Sequence, residues 1–149
     1  MYHYTESGLP YVWLADGYRL EQTPYGETLS IRDVDSLHRA MARWIVETLS
    51  RLSGREVKFL RLEMDSTQAE LAEQLGVTEQ SISLWERQPA KAIPPAADRL
   101  LRLVTEAWLE KDQPLAQAMA RIEQAEHGQI ITRQHFKWGR KQWRAAKAA

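Results

Sequence analysis

Apolar positions recur at helical intervals through the middle of the chain. Leu37, Met41, Trp44, Ile45 and Leu49 fall near one face of a long helix that Asp35 is placed to cap and that ends around Ser53-Gly54. A second helix, from about Arg55 to Met64, turns Val57, Leu60 and Leu62 inward. Leu71, Ala72 and Leu75 give a short third helix its buried stripe, and Thr67 with Glu70 has the capping-box spacing at its start. Gly76 supplies the backbone freedom for a tight stop. Thr78 then caps a fourth helix whose inward residues are Ile82 and Trp85. Prolines make Arg87 to Pro95 a loop. Asp98 to Glu110 is strongly amphipathic through Leu100, Leu101, Val104 and Trp108. Pro114 opens another helix to about His127, with Leu115, Ala118, Met119 and Ile122 on its apolar side and Gly128 after it. Met64 and Met119 read as gap-fillers.

The ends follow other rules. Tyr11 to Leu14 and Tyr18 to Glu21 are short aromatic and branched runs separated by Asp16-Gly17, a strong hairpin signal because a type I′ turn needs positive φ at both central positions. Pro24-Tyr25-Gly26 reads as a second turn and Thr28 to Ile31 as a third strand. Such a hairpin is marginal alone, so it should pack on a helix or on a second subunit. From Ile130 the pattern is ambiguous between strand and helix, then rich enough in Ala and Arg to read as helical. The expected fold is mainly α with a small N-terminal antiparallel β hairpin or meander. Three segments follow: 1–53 as a packing, dimerisation or partner-binding module, 54–112 as a helical domain, and 113–149 as a helical extension with a basic, Trp-containing tail.

Two short helices joined by a three- or four-residue turn containing Gly make a helix-turn-helix, whose second helix can enter a DNA major groove. The run from Thr67 to Trp85 resembles the lambda-repressor-like helix-turn-helix family of phage repressors, bacterial regulators and antitoxins, over roughly residues 54–104. The resemblance implies a five-helix domain and makes 54–112 a helix-turn-helix DNA-binding domain. It also implies an ion pair between Arg61, seven residues before Gln68, and Glu86, directly after Trp85. Ser66 departs from the pattern, standing where the family usually has a core aliphatic residue.

Roles follow from chemistry at these positions. Gln80 suits a bidentate bond to adenine N6/N7, and Glu79 can accept from cytosine N4. Thr78 and Ser81 are short enough for a base or phosphate contact, and Leu84 for a thymine methyl. Gln68, at the start of its helix, is expected on a phosphate oxygen, the role the resemblance also implies. Ser83, Arg87 and Lys91 are expected on phosphates as well, setting register without carrying sequence information. From Arg55 to Pro95, however, five basic residues face seven acidic ones, a net charge of −2 where DNA binders carry a basic footprint.

Composition limits the alternatives. The formal net charge is zero, but no acidic residue follows Glu126, while Arg133, Lys137, Arg140, Lys141, Arg144 and Lys147 give +6. In that tail Trp138 and Trp143 interleave with cations, so stacking and phosphate contact are both available. A helix packed through its tryptophans is the simpler expectation. With no cysteine there is no disulfide and no thiolate zinc site, which removes the zinc-binding N-terminal module of one antitoxin group. Asp33, Asp35 and His38 form a D-x-D-x-x-H pattern, but helix capping accounts for the aspartates without a metal, and neither metal nor cofactor is expected. No nucleophile sits in a strained glycine-flanked turn, so an enzyme is not expected. No run is long enough to span a bilayer. The expectation is therefore a cytoplasmic, nucleoid-associated DNA-binding regulator, a repressor acting as a homodimer on a palindromic operator. A protein toxin would be a further partner if the chain is the antitoxin of a type II pair. The alternative is a protein–protein interaction module of the same fold. The dimer surface is expected around Leu101, Val104 and Trp108, or at the N-terminal hairpin.

Overall fold

The computed structural model describes residues 1–146; Lys147, the last cation of the basic tail, lies outside them. The chain opens with β1 (Tyr2–His3), a 3-10 turn at Thr5–Ser7 and β2 (Trp13–Leu14), which pairs antiparallel with β1 in the register Tyr2↔Leu14. β3 (Tyr18–Thr23) pairs antiparallel with β4 (Gly26–Ile31). Asp16-Gly17 is thus not the hairpin turn expected from its sequence. β2 has turned back onto β1, and Gly17 (φ +75°) forms the corner between two separate strand pairs, its carbonyl accepting from the Arg32 N–H at 2.8 Å. Asp-Gly specifies a backbone conformation, and burial of Leu14 together with stacking of Trp13 on His3 (4.1 Å) decides which strands meet. The hairpin turn lies at Pro24-Tyr25, where the Thr23 hydroxyl accepts from the Tyr25 N–H and donates to the Gly26 carbonyl.

Six helices follow among the described residues. In α1 (Val34–Thr48) the cap is Asp33, not Asp35: Asp33 takes the left-handed conformation that Asp tolerates (φ +47°) and accepts from the Ser36 N–H at 3.3 Å. Met41, Ala42 and Ile45 are buried while Trp44 stays exposed. α2 (Gly54–Glu63) starts in a capping box between Ser53 and Glu56 and buries Val57, Phe59 and Leu60. Leu62, expected inward, is 57% exposed. It falls about 200° round the helix from Leu60, on the solvent side. α3 (Gln68–Leu75), α4 (Glu79–Glu86), α5 (Pro95–Glu110) and α6 (Gln113–Glu126) complete the helical body. The tail is not helical: β5 (Phe136–Gly139) and β6 (Gln142–Ala145) form an antiparallel hairpin. Alternation of Phe136 and Trp138, and an edge-to-face pairing of Trp138 with Trp143 at 5.6 Å, outweigh the helical leaning of Ala and Arg.

One continuous apolar core runs from Tyr4, Leu9 and Leu14 through Ile45, Leu52, Leu60, Leu71 and Ile82 to Leu101 and Val104. Each fully buried leucine or isoleucine contributes about 1.5–3 kcal/mol relative to exposure. Leu101 and Val104 therefore belong to the interior rather than to a free dimer face, and Trp108 remains partly exposed.

Polar staples tie the N-terminal segment to the rest. Buried Asp98 accepts from the Leu52 N–H (2.7 Å) and from Arg102 Nε (2.6 Å). Arg102 also donates to the Val46 and Leu49 carbonyls, satisfying the open end of α1. His38 bridges the Tyr4 hydroxyl and Glu63, each at 2.8 Å, joining the first strand pair through α1 to α2. Burial, then the nearby Glu6 and Glu63, push the Tyr4 phenol up. Asp33 and His38 of the D-x-D-x-x-H pattern are thus engaged in capping and in this bridge. Among the described residues no three His, Asp or Glu gather as metal ligands.

Candidate nucleic-acid interface

The helix-turn-helix is assembled from local bonds. The Thr67 hydroxyl accepts from the Glu70 N–H (3.0 Å), and the Glu70 carboxylate accepts from the Thr67 N–H (3.1 Å). The Thr67 backbone N–H and then its hydroxyl hold the Glu70 carboxyl below the usual range. α3 stops at Gly76, whose φ of +66° is the left-handed conformation that glycine adopts without strain. Val77 then donates to the Ala72 carbonyl (3.0 Å), and Thr78 caps α4 by accepting from the Ser81 N–H (3.1 Å).

α4 is anchored from behind. Ile82 is fully buried and Trp85 partly so. Arg61 of α2 grips Glu86 in bidentate fashion, both N···O distances 2.8 Å, and gives a third hydrogen bond to the Ser66 carbonyl (3.0 Å). The same guanidinium therefore fixes the end of α4 and the α2–α3 connection where Ser66 stands. Bonding to Glu86 raises the Arg61 pKa above its ordinary value. At the other end of α2 the backbones touch: a Cβ built on Gly54 would lie 1.8 Å from the Trp85 carbonyl oxygen. The loop after α4 is stitched to the same place by Gly54 N–H to Lys91 O (3.2 Å), Arg55 N–H to Pro89 O (3.1 Å) and Ile93 N–H to Leu52 O (3.0 Å). Nothing local in the sequence marks these contacts beyond a lone glycine at a helix start.

The outward ridge carries the residues singled out above. Thr78, Glu79, Gln80 and Leu84 are exposed; Ser81 and Ser83 are half-buried. The Thr78 and Ser81 hydroxyls bond each other at 3.0 Å, so they present one joined polar group. Gln68 is half-buried at the first position of α3, directly after the capping Thr67. Arg87 and Lys91 are exposed just beyond α4, with Arg87 Nε on the Ser83 carbonyl (3.3 Å). Beside them a surface groove of about 350 Å3 runs between Leu84, Trp85 and Pro94-Pro95.

Most acids of this region are occupied elsewhere. Glu56 is buried in its capping box, Glu63 bonds His38, Glu70 caps α3, Glu73 lies 2.6 Å from His127, and Glu86 holds Arg61. Glu79 is the acid left on the outward ridge of α4. Pairing Arg61 with Glu86 removes one charge of each sign, so the −2 sum still stands. The far end of α6 lies against the turn: a Cβ on Gly76 would be 3.7 Å from Glu126 Oε1. Burial, then Glu73 and Glu126, push the nearby Glu123 carboxyl up.

A family described as helix-turn-helix matches residues 57–103, spanning α2 to most of α5. No curated protein and no solved structure matches the chain. Among the described residues no helix is long and apolar enough to cross a membrane. The segment 57–103 thus belongs to the lambda-repressor-like, Xre-type helix-turn-helix family of DNA-binding regulators, a family that is generally non-enzymatic.

Proposed function

We propose that the protein is a sequence-specific transcriptional repressor that binds a palindromic operator as a homodimer, with α4 as the recognition helix. The observation that carries this reading is the ridge from Thr78 to Leu84, open to solvent on a helix locked from behind by Ile82 and by the Arg61–Glu86 pair. On it Gln80, Glu79, the Thr78–Ser81 hydroxyl pair and Leu84 read base edges. Gln68, Ser83, Arg87 and Lys91 take phosphates and set the register. Residues 1–53 serve as the packing and dimerisation module, and two heads on one site turn the second contact into an intramolecular one. An antitoxin role is the special case in which a toxin occupies the same N-terminal module; an adjacent small reading frame encoding a ribonuclease-like protein would support it.

The −2 balance of residues 55–95 favours a second reading, a protein-interaction module that has lost DNA contact. Titration of the full chain against DNA from upstream of its own gene separates the two. A repressor binds that duplex tightly, and its affinity falls steeply as salt rises. Gln80→Ala relaxes sequence preference by about 1–3 kcal/mol, whereas Arg87→Ala weakens all sequences alike and lowers the salt slope by about 1. Equal, small effects from both substitutions would count against α4 as the reading helix.

A further inference from the structure

The C-terminal hairpin makes no use of its own charge. Its register places Lys137 directly opposite Arg144, and Trp138 opposite Trp143. Opposite residues of an antiparallel pair share a face and alternate along each strand. One face therefore carries Phe136, Trp138, Trp143 and Ala145, and the other Lys137, Gly139, Gln142 and Arg144. Arg144 leans along that second face, its guanidinium 3.5 Å from a Cβ built on Gly139. Arg140 and Lys141 form the tip.

Two features of this hairpin oppose its own stability. Like charges directly opposite one another repel, so Lys137 beside Arg144 weakens the strand pair. The two tip residues both have positive φ (+51° and +61°), a turn conformation for which Asn-Gly is the unstrained choice. At both places a cation stands where another residue would hold the hairpin better. Among the described residues, Arg133, Lys137, Arg140, Lys141 and Arg144 make no ion pair, and no acid follows Glu126. Phe136, Trp138 and Trp143 are each more than half exposed.

The tether is also placed. His127, the residue that ends α6, bonds Glu73 of α3, and Glu126 abuts the Gly76 turn that leads into α4. Residues 128–135 separate that point from β5, a reach of about 26 Å when extended. A duplex held by α4 is a polyanion within this radius, and a two-stranded ribbon fits a DNA groove.

We infer that the C-terminal hairpin is a second DNA contact, gripping through Lys137, Arg140, Lys141 and Arg144 the phosphate backbone of the duplex on which α4 sits. This rests on the repressor reading for the identity of the partner. The hairpin supplies the sequence-independent electrostatic attraction that the head, at −2, lacks, and tethering makes its contact effectively intramolecular.

The test is the full chain carrying K137Q/R140Q/K141Q/R144Q, titrated across salt against its own upstream duplex, a random-sequence duplex and vesicles of phosphatidylserine in phosphatidylcholine. The substitutions relieve the cross-strand repulsion, and near-ultraviolet dichroism of the Trp138–Trp143 pair reports whether the hairpin persists; K137Q/R144Q alone, which leaves the tip intact, is the second variant. The expected result is weaker binding to both duplexes by the same factor, a salt slope smaller by about 3 to 4 in the quadruple variant and about 2 in the double variant, and unchanged preference for the upstream DNA. Unchanged affinity and slope on DNA would overturn the inference while leaving the repressor reading intact, and so would loss confined to the vesicles. Salt-sensitive binding of the parent without sequence preference, abolished in the quadruple variant, would keep the hairpin and remove the repressor reading. No binding of the parent to either duplex at low salt would overturn both.

Discussion

Two of the chain's tight reversals solve the same steric problem in opposite ways. Between α3 and α4 the left-handed residue is Gly76, which adopts φ +66° without strain. Between β5 and β6 the left-handed residues are Arg140 and Lys141, which do not. Around Gly76 three acids are committed: Glu70 to a cap, Glu73 to His127, Glu86 to Arg61. Around Arg140-Lys141 the charges lie open. The first region is organised to hold a shape, the second to present charge, and the difference separates the part of the molecule that fixes a helix from the part that attracts a polyanion.

The largest expected effect strikes the first region. Glu86→Ala leaves Arg61 charged, largely buried and without its bidentate partner, and should cost about 3–5 kcal/mol in chemical denaturation. A loss below 1 kcal/mol would mean that α4 is not held by this pair. Gly54→Ala comes next: the new methyl cannot coexist with the Trp85 carbonyl, and separating α2 from α4 should cost about 3 kcal/mol.

The contrast between the turns is sharpened by exchanging their logic. Gly76→Ala should destabilise by about 1 kcal/mol through its positive φ. R140N/K141G should instead stabilise the hairpin, read as a stronger Trp138–Trp143 dichroic couplet, while weakening its hold on DNA. Matching signs in the two turns would break the comparison.

The smallest effects lie in pH. The Glu70 carboxyl sits below its ordinary range when folded, so its contribution is complete above the unfolded pKa and is lost as pH falls through the folded value. The Glu123 carboxyl sits above its ordinary range, so its contribution is complete in acid and is lost as pH rises through the folded value. Glu123→Gln should therefore raise the denaturation midpoint at neutral pH and leave it unchanged in acid. Glu70→Gln should lower it at neutral pH.

The helix-turn-helix was legible because its signals are local. Thr67 with Glu70, Gly76, and Thr78 with Ser81 each act within four residues, and the apolar positions between them keep one period. The Arg61–Glu86 pair spans 25 residues and was visible only through the family register. What escaped depends on chain segments that meet only in three dimensions. Gly54 lies against the Trp85 carbonyl, and His38 between Tyr4 and Glu63. The strand pairings failed for a related reason. A turn signal at Asp16-Gly17 says how the backbone bends but not which strand lies beside which, and the Arg140-Lys141 tip carries no turn signal at all.

The most direct test uses the absence of cysteine from the chain. Glu79→Cys, labelled with an iron chelate that cleaves DNA, reports where the first turn of α4 lies on its own upstream duplex. With α4 as the reading helix, strand scission centres on two major-groove positions one helical turn apart, or a multiple of it, matching the half-sites of a palindrome. Scission from a label at exposed Glu47 of α1, with none from position 79, would contradict it.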